Sequence, residues 1–304
     1  MRVLTKKNVL LLLVLPLFYG CNLERILLDG QIAGTRRASK SFDTLSDLEV
    51  ARYAAASSLA TLEGYYVLAP DNKDNLYLLL TAWAGYAGAF IEDNWERAQD
   101  AGDEATEEAE ALRARQAYDR AIKYGSELLE VTKPGLKDAM KNSSTITSYL
   151  AGYEAKDAQT LLWFGVAWLS RGGVAAADPE IVSELFVGVA FVERSVALDP
   201  GLAHGLGNAV LGAYHARSPD AELKQAQEHF EKSLTTSQRK ALTTQVLYAA
   251  NWACNSHDAK TYKALLEEVL AAGDVLPEQR LENTIAVRKA KRYLAKGRLA
   301  RCGF

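Results

Sequence analysis

Apolar positions recur at intervals of three and four along almost the whole chain. That period predicts helix after helix. Leu45 to Val67 reads as one helix, with Ala51, Ala54, Ala55 and Ser58 as small contact positions. Pro70-Asp71-Asn72 breaks it. Leu76 to Ile91 is apolar on every side and spans 16 residues. A bilayer crossing needs about 20 residues, so this is expected to be a central helix of a packed domain. Glu92 to Glu110 is acidic and reads as a loop, with Asp100-Ala101-Gly102-Asp103 in its middle. It is read either as a partner-binding patch or as a solvated face. A long helix then continues through Ala117, Tyr118, Ala121 and Leu128 to Lys133-Pro134-Gly135. After a short helix and Asn142-Ser143-Ser144, a second all-apolar helix covers Leu161 to Leu169 and is expected to end at Arg171-Gly172-Gly173. Later helices cover Val246 to Ala253, Tyr262 to Ala272, and the stretch after Pro277 to Leu294. The pattern gives about twelve helices and leaves little room for a sheet.

The most patterned stretch is Gly188 to Leu234. Gly188, Val192 and Ser195 precede Leu198-Asp199-Pro200. Ala226, Phe230 and Ser233 repeat the order small, bulky, small. This is the second-helix pattern of a tetratricopeptide-like (TPR-like) hairpin, where small residues admit a neighbour and the bulky one fills the gap. Ser218 can cap the last of these helices, with Pro219 at its first position and Asp220 and Glu222 in its first turn. The fold class expected is all-α: TPR-like hairpins in a compact bundle or solenoid.

The first twenty residues stand apart. Arg2, Lys6 and Lys7 precede the apolar run Val9 to Leu17, and Gly20-Cys21 follows, as in a secretory signal. A Cys after a small residue at the end of such a run resembles a bacterial lipoprotein cleavage site, although Phe18 stands where Leu is more usual. The other reading is a conventional signal or uncleaved anchor with Cys21 incidental. Asn22, by resemblance to Gram-negative lipoproteins, favours the periplasmic face of the outer membrane. The expected organisation is 1–20 signal peptide, 21–44 lipidated tether and 45–304 one helical domain.

Composition is that of an ordinary globular chain: 304 residues, 49% apolar, 24% charged, net charge −3. There is no basic stripe with interleaved aromatics, so nucleic acid is not an expected partner. Cys254 and Cys302 either pair, as the periplasm permits, or Cys254 is a buried free thiol. No Cys-x-x-Cys, His-Glu-x-x-His, phosphate loop or Gly-x-Ser-x-Gly occurs, so neither a metal, a cofactor nor an enzyme is expected.

One helix, read as Ala203 to Ala216, is less ordinary. Leu206, Val210 and Ala213 make one face; His204, Asn208, Leu211 and His215 make the other. That second face is either wet or the wall of a ligand passage. Gly205, Gly207 and Gly212 each cost roughly 1 kcal/mol relative to Ala in a helix interior, which close packing or a ligand would offset. Trp83, Tyr86, Trp163, Trp168, Tyr214 and Trp252 are read individually as core and together as a ring-lined pocket. Asn208, Asn251 and Asn283 are the amides expected to need partners.

The chain resembles the T-component (TatT-like) family of tripartite ATP-independent periplasmic (TRAP) transporters from about Leu45 to Leu294. The resemblance rests on Ala82-Trp83-Ala84-Gly85-Tyr86-Ala87, Val196-Ala197-Leu198-Asp199-Pro200, Leu211-Gly212-Ala213-Tyr214-His215-Ala216-Arg217-Ser218-Pro219, Ala226 to Leu234, and Leu281-Glu282-Asn283 with Arg288-Lys289-Ala290. It implies cryptic TPR-like hairpins and a homotrimer whose protomers each carry a channel or cleft. It implies a periplasmic solute-binding protein as partner, and an organic acid or a hydrophobic small molecule as ligand. Contact with the membrane would be through the lipid anchor only. The competing function is a general TPR scaffold for envelope assembly, with an open peptide groove in place of an enclosed passage. The tail after Leu294, with Cys302, departs from the family's usual ending.

Overall fold

The computed structural model describes residues 20–217 and 222–304, and side chains from residue 23 within them. The signal segment, the side chain of Cys21, and Ser218, Pro219 and Asp220 lie outside these. Among the described residues there are sixteen α-helices and no strand.

Helix α1 spans Gly20–Ala38, α2 Leu48–Leu68, α3 Lys73–Tyr86, α4 Glu92–Ala101 and α5 Glu104–Thr132. Then come the short α6 (Leu136–Ala139) and α7 (Ser143–Leu150), α8 (Ala158–Val174), α9 (Pro179–Ser183) and α10 (Leu185–Leu198). The last group is α11 (Leu206–Arg217), α12 (Leu223–Thr236), α13 (Thr243–Leu247), α14 (Ala259–Ala271), α15 (Arg280–Tyr293) and α16 (Lys296–Arg301). Side chains at the breaks start the helices. Asp47 accepts from the N–H groups of Glu49 and Val50 at 2.9 and 3.1 Å. Asn72 caps α3 through the N–H of Asn75 at 2.9 Å, and Asn142 caps α7. Each satisfies donors that the first helical turn leaves unpaired.

Helices adjacent in the chain pack together: α2 on α3, α4 on α5, α8 on α10, α11 on α12 and α14 on α15; α5 also joins α3 to α8. The main core lies among α3, α5, α8 and α10, with Leu80, Leu161, Phe164 and Phe191 each 0–1% exposed. A second core joins α12, α14 and α15 through Phe230, Tyr262 and Leu266. The two groups meet along two seams. In one, α11 rests on α8 and α10; in the other, α15 returns to α2 and to the turn Ser39–Thr44.

Several expectations are corrected. The segment read as a tether is helical over Gly20–Ala38, because Ile32 is fully buried and Arg25 and Asp29 bond to Asp71 and Asn72. The acidic loop is α4, a turn through Gly102 in the left-handed region (φ 69°), and the start of α5. Helix α8 runs through Gly172-Gly173 to Val174; a Cβ on Gly172 would lie 2.3 Å from a Leu185 methyl, so the glycine admits α10 rather than ending α8. Helix α11 begins at Leu206, because Ala203 and His204 are left-handed (φ 48° and 56°). Helix α12 starts at Leu223. Cys254 is not a free thiol: it bonds to Cys302 and ties down a tail that ends in α16.

Candidate functional site

Between the two seams the charged side chains of Arg217, Glu92, Lys289 and Glu282 come together. Arg217 ends α11 and stretches over α8. A Cβ on Gly173 would come within 3.0 Å of its guanidinium, so the glycine makes room for it. Its Nε donates to the Ala213 carbonyl at 3.2 Å. Among the described residues no carboxylate lies within ion-pairing distance of Arg217, although Glu92 and the rings of Tyr118 and Tyr293 are close enough to act on its charge. Arg217 is reached by solvent, yet burial lowers its pKa. Glu282 of α15 is likewise exposed, while burial, then Asp43, raises its pKa.

Helices α4 and α5 supply an acid and a phenol. Buried Tyr118 donates to Glu92 at 2.5 Å, and burial holds the Glu92 carboxyl above its usual range. On α15, Lys289 pairs with Glu96 at 3.3 Å and Tyr293 donates to the same carboxylate at 2.8 Å. Behind them is a charge network. Asp93, fully buried, pairs with Arg292 at 2.6 Å and Arg288 at 3.3 Å; Arg292 also contacts Glu96. Asp100 takes Arg298 and Arg301 of α16 at 3.2 and 3.1 Å. Burial alone would raise the pKa of Asp93; the guanidinium groups of Arg292, Arg288 and Arg97 outweigh it and hold the group ionised. The partners lie some 200 residues apart in the chain, so this network closes the second seam.

The expected polar face of α11 is buried, and α12 covers it. Asn208 and His215 are 4% and 6% exposed. His229 Nδ1 donates to Asn208 Oδ1 at 3.0 Å. Gln225 Nε2 donates to His215 Nε2 at 3.1 Å, and His215 Nδ1 donates to Glu222 at 2.7 Å. The two imidazoles stack, 5.5 Å apart and 4° from parallel. Beside them is an open cleft of about 710 Å³ lined by Glu222, Gln225, His229 and Lys232. His204 is half-buried in the turn before α11, at the other end of the helix from His215. The glycines have a packing cause: a Cβ on Gly207 would meet Val196 at 2.6 Å, and one on Gly212 would meet the Phe230 ring at 2.9 Å.

The rings divide among separate apolar clusters. Trp83, Tyr86, Trp163 and Trp168 flank the main core, Tyr214 lies with Leu211, and Trp252 lies in the C-terminal core. Trp83 donates to Glu63 at 2.9 Å, Tyr86 leans on Phe90 and Arg171 covers Trp168. Asn251 donates to the Leu247 carbonyl at 2.8 Å. Asn283 accepts from the Leu242 N–H and donates to the Lys240 carbonyl, fixing the turn before α13.

The clustered residues Glu92, Arg217, Glu282 and Lys289 were missed by sequence reasoning. One signal was available: Asp93, Glu96 and Asp100 share a helical face, as do Arg288, Lys289 and Arg292, and the two faces have opposite sign. Among the described residues no cluster of three or more His, Cys, Asp or Glu is placed to hold a metal, and no helix is long and apolar enough to cross a membrane.

Residues 44–298 match the profile of the TRAP transporter T-component family. None of the curated proteins compared with the chain matches it.

Proposed function

The chain belongs to the TRAP transporter T-component family, a periplasm-associated transport accessory, and on that premise we propose that it binds a small organic acid at the charged cluster around Arg217 and passes it to or from a solute-binding protein. The observation that carries this reading is Arg217: a guanidinium open to water beside Glu92, with no ion-pair partner among the described residues. A carboxylate would give it the paired geometry that Arg favours. A purely apolar ligand would leave that charge and Lys289 facing hydrocarbon, so the organic acid is the better fit of the two ligand classes. Asn208 and His215 belong to this reading as the packed support of the helix that presents Arg217.

The protein acts as a lipoprotein on the periplasmic face of the outer membrane, anchored through Cys21, and as a homotrimer. Support for self-association comes from α2, whose outward stripe Tyr53, Ser57, Ala60, Gly64 and Val67 carries no charge; Tyr53 and Val67 are 71% and 79% exposed. The test is equilibrium dialysis of the full chain against pyruvate, succinate and glutamate. Arg217→Gln is expected to weaken whichever binds by about tenfold or more, the cost of losing a charge-assisted hydrogen bond. A pull-down from periplasmic extract should recover the solute-binding protein. Recovery of envelope-assembly factors in its place, with no carboxylate bound, would establish the scaffold reading.

A further inference from the structure

Helix α1 carries an apolar face that no other described residue covers. Leu23, Ile26 and Leu27 are 57%, 64% and 64% exposed. They step by three and four, so they form one patch. The rest of the helix is fastened to the body. Ile32 is fully buried. Arg25 bonds to Asp29 and to Asp71, and Asn72 donates to Asp29 at 2.7 Å. Gln31 donates to Tyr65 at 2.8 Å. Arg36 pairs with Asp74 and lies over the Tyr77 ring. The patch is therefore held at a fixed orientation to α2 and α3.

We infer that this patch rests in the interface of the lipid bilayer, so that the protein lies flush against the membrane in one orientation instead of hanging from a flexible tether. The inference rests on the reading of Cys21 as the lipidated residue. Continuity of the chain identifies the occupant. Cys21 stands two residues before Leu23, and at ~1.5 Å per helical residue Leu27 is only about 9 Å further along. Acyl chains at Cys21 bring that length of helix to the headgroup boundary, where an interfacial helix buries its apolar side to a depth of about 5–10 Å. Stable anchoring generally needs a second signal beside an acyl chain, and three large aliphatic side chains supply one. Glu24 is on the same outward side, and at that depth its carboxylate still reaches water.

The disulfide and the lipidation make the experiment simple, because a cysteine introduced at position 27 is then the only free thiol. The full chain with Leu27→Cys carries a nitroxide and is reconstituted in vesicles of phosphatidylethanolamine and phosphatidylglycerol. A second preparation carries the label through Lys141→Cys, a side chain 66% exposed. Collision rates with oxygen and with a water-soluble nickel chelate are read from the spin relaxation. At position 27 the oxygen-to-nickel ratio is expected to exceed that at position 141 by tenfold or more. Equal ratios in protein that floats with the vesicles would overturn the seating while leaving the lipoprotein reading intact. Protein of unacylated mass that does not float would overturn both. Low access to both reagents, with broadening from spins on neighbouring copies, would overturn the seating in favour of a contact between protomers.

Discussion

Gly165 and Gly188 face each other where α8 crosses α10. A Cβ on Gly165 would lie 2.8 Å from the Gly188 carbonyl oxygen and 2.6 Å from a Val192 methyl; one on Gly188 would lie 2.9 Å from both Leu169 and Trp168. Backbone therefore packs on backbone at the centre of the main core. Gly165→Val is expected to cost about 1–3 kcal/mol through overpacking, read as a lower thermal midpoint. The comparison is Gly85→Ala in α3, where a Cβ meets nothing within 4 Å. There the gain in helix propensity, ~1 kcal/mol, should leave the midpoint unchanged or raised. A Gly165 variant as stable as the wild type would mean that α8 and α10 do not meet this closely.

The link between Cys254 and Cys302 closes a loop with a sequence separation of 48. By the chain-entropy relation, such a loop is stabilised by about 4 kcal/mol. Reduction, or Cys254→Ser, should lower the unfolding midpoint accordingly and loosen α16 first, since what then holds it is the packing of Leu299 and the contacts of Arg298 and Arg301 with Asp100, Tyr293 and Gln99. The check is a denaturant titration with and without reductant. Identical curves would show that the bond adds nothing to the stability of the fold.

The helical part of this architecture was legible because burial imposes a period on the sequence. Leu76 to Ile91 and Leu161 to Leu169 carry no charge, and both lie at the main core. Gly188 and Ala226 were read as close contacts, and Ala226 is fully buried. What stayed hidden depends on distant partners. Residues 21–44 read as a tether, yet contacts with α2 and α3 order α1. The acids of α4 looked like a solvated surface because the arginines that bury them lie nearly 200 residues away. The turn before α11 is left-handed at Ala203, His204 and Gly205; alanine and histidine give no signal of that conformation, so the apolar spacing ran through it unbroken. Arg217 drew no separate reading from the sequence, since only the fold places Gly173 beneath it.

Asp93 and Arg292 join the two halves of the chain across the second seam. Removing the carboxylate strands Arg288 and Arg292 in a half-buried place. Asp93→Ala should cost about 3 kcal/mol, the low end for breaking a buried pair, because Glu96 remains to hold Arg292. The pH dependence follows from the depressed pKa of Asp93. Its contribution is complete above the ordinary carboxylate value of 3.8 and is lost as pH falls toward its lower folded value. Wild type should lose stability steeply below about pH 4, and Asp93→Asn should flatten that loss. A variant whose acid limb superimposes on the wild type's would remove Asp93 from the account.

The stacked pair His215 and His229 predicts a second and separate pH window. Burial, then the neighbouring His215 and Lys232, lowers the His229 pKa from 6.5 to about 4. Its Nδ1 proton is committed to Asn208, and its other face lies against the His215 ring. The folded state therefore resists a second proton that the unfolded chain accepts near pH 6.5. Where the unfolded state binds more protons, stability falls as pH falls. This contribution is complete above pH 6.5 and is lost between there and about pH 4, before Asp93 begins to titrate. His229→Gln removes the titrating ring and keeps an amide that can donate to Asn208. Urea midpoints at pH 7 and pH 5 should differ clearly for the wild type and little for the variant. If both proteins lose the same stability over that interval, the stacked imidazoles are not the cause.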